Sequence, residues 1–249
     1  MNSNQQDSIF KWKNLCIRQK DEVFKVGTDA VLLGAWIPTK LKEASNILDV
    51  GTGTGILALK MSEAYPASVV EGIDHDENAV CLALHNFKLT DSADRLSSRL
   101  ENIFEFKKSK GGEYDLIVCN PPYYFGQYKG EKNSSLKARH ADHSVSEWMK
   151  ALSARIKKSG HIFLVLPYEI TFDWIRSANT LKLYIQNRLD VFSFAGDPFP
   201  KRSLIHLSDS LVKPGLEKLS LYHEDKYTTD YLAFSGINAA DVYNSGEVD

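Results

Sequence analysis

The chain has 249 residues with 43% hydrophobic and 25% charged side chains, enough for one large α/β domain with small additions. A net charge of −2 excludes a uniformly basic nucleic-acid binder, no apolar run approaches the roughly 18 residues that span a membrane, and residues 1–7 lack the basic and apolar parts of a signal peptide. Three cysteines (Cys16, Cys81, Cys119) are too few and too scattered for a disulfide framework or a zinc site, so the expectation is a cytoplasmic protein without a metal or an obligate protein partner.

Phe10 to Lys25 alternates enough to predict a hairpin turning at Lys20-Asp21-Glu22. A helix from Asp29 to Ile37 follows, with Thr28 as N-cap and Pro38 as a stop. Asn46 to Val50 reads as a buried strand, Gly51 to Gly55 as a glycine loop and Ile56 to Tyr65 as a helix. Val69 to Asp74 is the second strand, followed by a helix over 76–90, a third strand near Ser98–Leu100 and a fourth at Leu116–Cys119. The segment 124–140 has no period and reads as a long loop. A helix over 144–158, a strand from His161 to Leu166, a helix over 169–180 and strands near 183–194, 203–212 and 217–223 complete the pattern. Alternating strands and helices predict a largely parallel sheet covered on both faces. The expected organisation is an N-terminal hairpin and helix (1–40), a catalytic domain (41–237) and a tail (238–249).

Asp49-Val50-Gly51-Thr52-Gly53-Thr54-Gly55 joins a strand to a helix, and its alternate glycines permit a tight turn and close approach of a ligand. The dinucleotide fingerprint would place glycine where Ile56 stands, which argues against a bound pyrophosphate. Asp74 ends the next strand, 23 residues after Gly51. It suits two ribose hydroxyls, or alternatively the N-cap of the helix that follows.

Asn120-Pro121-Pro122-Tyr123 follows the apolar run Leu116 to Cys119, at the strand end where open α/β sheets place ligands. The prolines fix the turn and remove donors, leaving carbonyl acceptors beside the Asn120 amide and the Tyr123 ring. Such a site suits a planar group carrying an amino donor. Cys119 adjoins the tetrad and could be read as a nucleophile, but an apolar strand makes it a core residue. His140 and His143 could be read as a metal pair, without further ligands nearby.

The glycine loop, Asp74 and the tetrad together resemble the class I S-adenosylmethionine-dependent methyltransferases that act on amino groups. Lys25-Val26-Gly27-Thr28-Asp29-Ala30-Val31-Leu32-Leu33-Gly34-Ala35-Trp36 further resembles the N-terminal motif of the bacterial tRNA (adenine-N6)-methyltransferases that modify adenine 37 of valine tRNA. Ala138 to Asp142 and the Tyr222–Tyr231 stretch are also similar to that family. The resemblance implies a seven-stranded sheet whose last strand is antiparallel. It implies S-adenosylmethionine on Lys25, Gly27, Thr28, Asp49, Gly51, Thr52, Gly53, Gly55, Asp74, Asn102, Ile103 and Asn120, with Asn102 where the family usually has an aspartate. It implies methylation of an adenine N6 held by Asn120, Pro121, Pro122 and Tyr123. Glutamine-modifying relatives would carry a separate helical domain, whereas only about 40 residues precede the first strand here.

The distribution of charge is compatible with one basic face and an acidic tail, or alternatively with ordinary solvated charge. Residues 9–27 carry Lys11, Lys13, Arg18, Lys20 and Lys25 against two acids, and the last 33 residues are acidic. Tyr124, Phe125, Lys129, Lys132, Lys137, Arg139 and His140 are the candidate tRNA contacts, interleaving rings and positive charge, with packing of a lid onto the sheet as the other reading of the rings. Adenine or guanine in another nucleic acid, a protein glutamine amide, and a non-catalytic RNA-binding role are the other readings.

Overall fold

The computed structural model describes residues 8–20, 23, 25–105, 113–122 and 143–238. In chain order its elements are β1 (Ser8–Trp12), β2 (Leu15–Gln19), α1 (Thr28–Lys40), β3 (Asn46–Val50), α2 (Ile56–Ala64), β4 (Val69–Asp74), α3 (Glu77–Phe87), β5 (Leu96–Leu100), β6 (Tyr114–Cys119), α4 (Val145–Ser153), β7 (Ile156–Pro167), α5 (Tyr168–Thr180), β8 (Tyr184–Phe194), β9 (Arg202–Ser208), β10 (Gly215–His223), β11 (Lys226–Tyr227) and α6 (Thr229–Ser235). The segment 124–140, Tyr123, residues Asp21 and Glu22, and the tail from 239 lie outside the described residues.

β1 and β2 form a separate hairpin, and the other strands form one sheet in the order β11-β10-β8-β9-β7-β6-β3-β4-β5. From β5 through β7 all neighbours are parallel, and β9 is antiparallel to both β7 and β8. The expected seven strands with an antiparallel last member are therefore β3 to β9. The sheet itself has nine, because β10 pairs in parallel with β8 and β11 folds back on β10.

Strands buried on both faces need apolar residues at successive positions, and alternate ones serve opposite layers. Ile47, Leu116, Val118, Phe163 and Val165 join the core beneath α1 and α2, whereas Leu48, Val50, Ile117, Cys119, Ile162 and Leu164 join that beneath α4 and α5. Trp36 meets Phe163 edge-on at 5.6 Å in the first layer, and Trp148 faces Trp174 at 6.3 Å in the second. No helix among the described residues is long and apolar enough to cross a membrane.

Three elements differ from expectation for local reasons. The hairpin turns at Lys13-Asn14, not at 20–22: Trp12 pairs with Leu15, and Lys13 takes a left-handed φ of 53°. The contact partners are tertiary, since the Trp12 indole N–H donates to the Ser235 carbonyl at 2.9 Å and its ring lies where a Cβ on Gly34 would stand. α1 continues through Pro38 to Lys40, with Gly27 rather than Thr28 at its cap. A proline near a helix end removes one hydrogen bond, and the Leu41 amide still closes on Ile37. α4 stops at Ser153 because the Glu113 and Tyr114 amides capture the Arg155 carbonyl and begin pairing with β7.

A polar chain lies inside the sheet. His206 stacks on Phe163 at 4.1 Å, its Nε2 lies 2.8 Å from His161 Nδ1, and its Nδ1 lies 3.1 Å from the Asn187 amide. Burial pushes the His206 pKa down to about 3, and His161 and Lys40 act in the same direction. The unfolded chain binds a proton at about pH 6.5, so the folded state resists a charge that the unfolded state accepts below that pH. Relative to a His206→Gln variant, unfolding free energy should therefore fall by ~1.4 kcal/mol per unit as pH drops below about 6.5. Denaturant titrations at several pH values check this, and parallel curves for the two proteins would refute it.

Candidate active site

Strand register assembles the site. Cys119, Val50, Ile73 and Arg99 lie in one row across β6, β3, β4 and β5. One residue further on, Asn120, Gly51 and Asp74 stand side by side at the carboxyl edge, with Asp74 paired to Leu100. Three strand spacings of ~4.8 Å make this row about 14 Å long. It is a shelf for an extended ligand.

Gly51, Gly53 and Gly55 have φ of 72°, 54° and 83°, a region that side chains disfavour. The Gly51 and Thr52 amides donate to the Ile73 carbonyl at 2.9 and 3.0 Å, pinning the loop to β4. A Cβ on Gly51 would meet nothing within 4 Å, so its freedom opens a cradle at the edge. A Cβ on Gly55 would strike the Phe87 ring at 2.5 Å, so that glycine serves packing on α3.

Asp49 is fully buried beneath this loop. Its Oδ2 accepts from the Thr52 hydroxyl at 2.7 Å and the Ala58 amide at 3.1 Å, while Oδ1 is without a hydrogen-bond partner. Burial pushes its pKa up to about 7 against those two hydrogen bonds, and Asp74 adds a smaller push. Such a group seeks a donor or a cation.

Asp74 has the opposite balance. Burial would raise its pKa, but the His75 side chain and the Asp76 and Gly53 amides hydrogen-bond to it and bring it below the usual value. Its Oδ1 accepts the Asp76 amide at 3.1 Å and its Oδ2 the Gly53 amide at 3.0 Å. The N-cap of α3 is Asp76, whose Oδ1 accepts the Asn78 amide at 3.0 Å, so capping does not account for Asp74. A carboxylate has about four lone-pair sites and three are taken here, so Asp74 retains capacity for one ligand hydroxyl.

Beyond β5, the Asn102 Oδ1 accepts the Phe104 amide at 3.1 Å and its Nδ2 donates to Glu105 at 3.1 Å. Asn102 thus builds the turn that presents buried Ile103 and Phe104. Phe104 stacks on His143 at 3.6 Å, which packs that ring against the turn. Asn120 and Pro122 are half-buried and Pro121 is buried at the end of β6. Cys119 is fully buried, and burial pushes its thiol well above the ordinary value, as suits a core residue. Lys25, Gly27 and Thr28 are exposed at the start of α1. Asp29 there pairs with Arg202, the β9 residue opposite Pro167, which holds the start of α1 at the same carboxyl edge. Tyr123 and the candidates Tyr124, Phe125, Lys129, Lys132, Lys137, Arg139 and His140 lie outside the described residues.

Asn86 escaped the sequence reading. It is fully buried, exchanges two hydrogen bonds of 3.0 Å with the backbone of Arg18 in β2, and donates to the Thr54 carbonyl at 2.8 Å. One amide therefore fastens the hairpin to the glycine loop. Its only signal was a polar residue between Ala83 and Phe87 on the apolar face of α3. Asn86→Ala should cost about 2–3 kcal/mol of stability, because the buried Thr54 carbonyl and the half-buried Arg18 backbone lose these three hydrogen bonds. Chemical denaturation measures it; a loss near zero would mean that the hairpin re-pairs without the amide.

The sheet order, the glycine cradle and the carboxyl-edge acceptors define a methyltransferase, and residues 21–168 match the family described as methyltransferase small domain. A protein of Agrobacterium tumefaciens described as a predicted O-methyltransferase shares the fold, with a TM-score of 0.64 at 15% identity over 84% of this chain and 96% of that one. The tRNA1(Val) (adenine(37)-N6)-methyltransferase of Flavobacterium psychrophilum is 33% identical over 91% of this chain and 97% of its own. That of Parabacteroides distasonis is 34% identical over 91% and 95%. The chain belongs to the family of these tRNA1(Val) (adenine(37)-N6)-methyltransferases.

Proposed function

We propose that this methyltransferase transfers the methyl group of S-adenosylmethionine to N6 of adenine 37 in the anticodon loop of valine tRNA, in the cytoplasm. The observation that carries the reading is the single row of Asn120, Gly51 and Asp74 at the carboxyl edge. The names of the relatives support the substrate.

The residues fit the methyl donor. The open face of Gly51 admits its backbone-close portion, Asp74 accepts from a ribose hydroxyl, and the bare Asp49 Oδ1 favours the positive end. Asn102 and Ile103 would border the adenine ring, with Lys25, Gly27, Thr28, Thr52, Gly53 and Gly55 around the remainder. When bound, the donor supplies a methyl carbon whose bond to sulfur breaks with the electron pair left on S-adenosylhomocysteine.

The chain's own work is positioning. The lone pair of an aryl amine is delocalised into its ring, which makes it a poor nucleophile. The Asn120 side-chain oxygen and the Pro121 carbonyl accept its two N–H groups and favour a tetrahedral nitrogen aimed at the methyl. Pro122 stiffens the turn, and Tyr123 stacks on the base, worth ~1–3 kcal/mol. The surplus proton then leaves to water. The hairpin lysines and Tyr124, Phe125, Lys129, Lys132, Lys137, Arg139 and His140 meet the RNA backbone and loop bases.

The test is methyl transfer from labelled donor to tRNA lacking the modification, followed by nucleoside analysis. The expected product is N6-methyladenosine at position 37 of valine tRNA, abolished when that adenine is replaced by guanine. Label in ribosomal RNA, DNA or a protein glutamine would redirect the function, and absence of all transfer would leave a binding protein.

A further inference from the structure

We propose that the β8–β9 connection, residues 195–201, is a stacking platform for single-stranded nucleotides beside the target adenine, with Phe199 as the ring that receives a base. This rests on the RNA reading above and goes beyond it, since the contacts assigned there lie in the hairpin and in 124–140.

Position is the first argument. β8 runs in the same direction as β7, so its carboxyl end shares the edge that carries Asn120. Counting on from the Cys119–Leu164 pair sets Pro122 level with Pro167, which pairs with Arg202, which pairs with Val191. The platform's last residue, Lys201, therefore sits next to Arg202, level with the tetrad and about two strand spacings, ~10 Å, from it, while its first, Ala195, lies four residues past Val191 at the end of β8. That reach suits nucleotides flanking a base inserted at Asn120.

Rigidity is the second. Asp197 accepts the Phe194 amide at 2.9 Å and returns its own amide to the Phe194 carbonyl at 3.2 Å. The Ala195 amide donates to Tyr222, the Lys201 amide to Val191, and Tyr168 donates to the Lys201 carbonyl. Pro198 and Pro200 flank Phe199 and fix the backbone on either side.

Exposure is the third. On this fixed turn Phe199 is 69% exposed and Phe194 47%, with Tyr222 behind Phe194 at 5.6 Å. A single exposed ring is ordinary on a protein surface, but two rings held on one crosslinked turn at the ligand edge are a prepared surface. Charge selects the occupant. Lys201 is exposed two residues from Phe199, the Asp197 carboxylate is engaged by the Phe194 amide, and Glu224 and Asp225 in the neighbouring β10–β11 turn are followed by the exposed Lys226. A ring for a base with a lysine for a phosphate is the pattern of single-strand binding.

The experiment compares Phe199→Ala, Phe199→Leu and Phe199→Trp in steady-state methylation of unmodified tRNA and in anisotropy with a short labelled single-stranded RNA. Alanine and leucine should each raise the KM for tRNA and the Kd for the oligonucleotide roughly tenfold, with kcat, melting temperature and donor affinity unchanged. Tryptophan should restore wild-type values. Unchanged binding in the alanine variant, full function with leucine, or an altered oligomeric state as the sole effect would overturn the proposal. Ring-dependent oligonucleotide binding in a wild-type protein inactive on tRNA would sink the functional reading alone.

Discussion

Asn120→Ala is expected to lower single-turnover methyl transfer by roughly 10²–10³-fold, the usual cost of removing one preorganised acceptor or donor at a reacting centre. Donor affinity should stay nearly unchanged, because Asp74 stands two strands away from Asn120, about 10 Å along the row. The split between rate and binding is the informative part. The Pro121 carbonyl remains in the variant and still accepts one N–H, which is why the loss stops short of abolition. Asn120→Asp keeps an acceptor at the same place and should recover part of the rate. Rapid-quench kinetics with saturating tRNA, beside equilibrium dialysis of the donor, make the comparison. Equal losses of rate and donor affinity in Asn120→Ala would remove the assigned role.

Asp74→Ala should do the reverse, raising the donor Kd by about 10²-fold, since hydrogen bonds to a charged group contribute ~1.5–3 kcal/mol each. Asp74 also holds the Gly53 and Asp76 amides, so part of that loss comes through a loosened glycine loop. Asp74→Asn separates the two contributions: it keeps an oxygen acceptor while giving up the charge, and should fall between wild type and alanine. Transfer measured at saturating donor should remain close to wild type in both. An unchanged Kd in the alanine variant would show that the carboxylate serves only the loop. A collapse of melting temperature without ligand would show a structural role instead.

The two acids near the cradle differ for a reason visible only in three dimensions. Both follow apolar strand residues, but Asp74 collects hydrogen bonds from two amides and His75, whereas Asp49 has one oxygen bare and is fully buried. Their proton affinities therefore move apart although the residue type is the same.

β3 and β4 were legible to the residue, because each short β-branched-rich segment stops at a sharp turn signal, Gly51 after β3 and Asp74-His75-Asp76 at the end of β4. The glycine loop was legible because three left-handed positions in a short turn admit little else. The hairpin turn was not, since Lys13 takes a left-handed φ against its own preference while its strands are anchored elsewhere, Trp12 on Ser235 and Arg18 on Asn86. β11 and α6 were missed because a two-residue strand and a seven-residue helix carry too little periodicity to read.

By itself the sequence determined the alternating architecture, the order of the motifs along it and the chemistry each can perform, since these depend on residue type and local period. Tertiary structure decided which motifs share a row, that Asp76 rather than Asp74 caps α3, that Asn86 ties the hairpin to the cradle, and that Phe194 and Phe199 remain in water at the same edge. The reason is that strand register and burial are set by partners far away in the chain, and no window of neighbouring residues contains them.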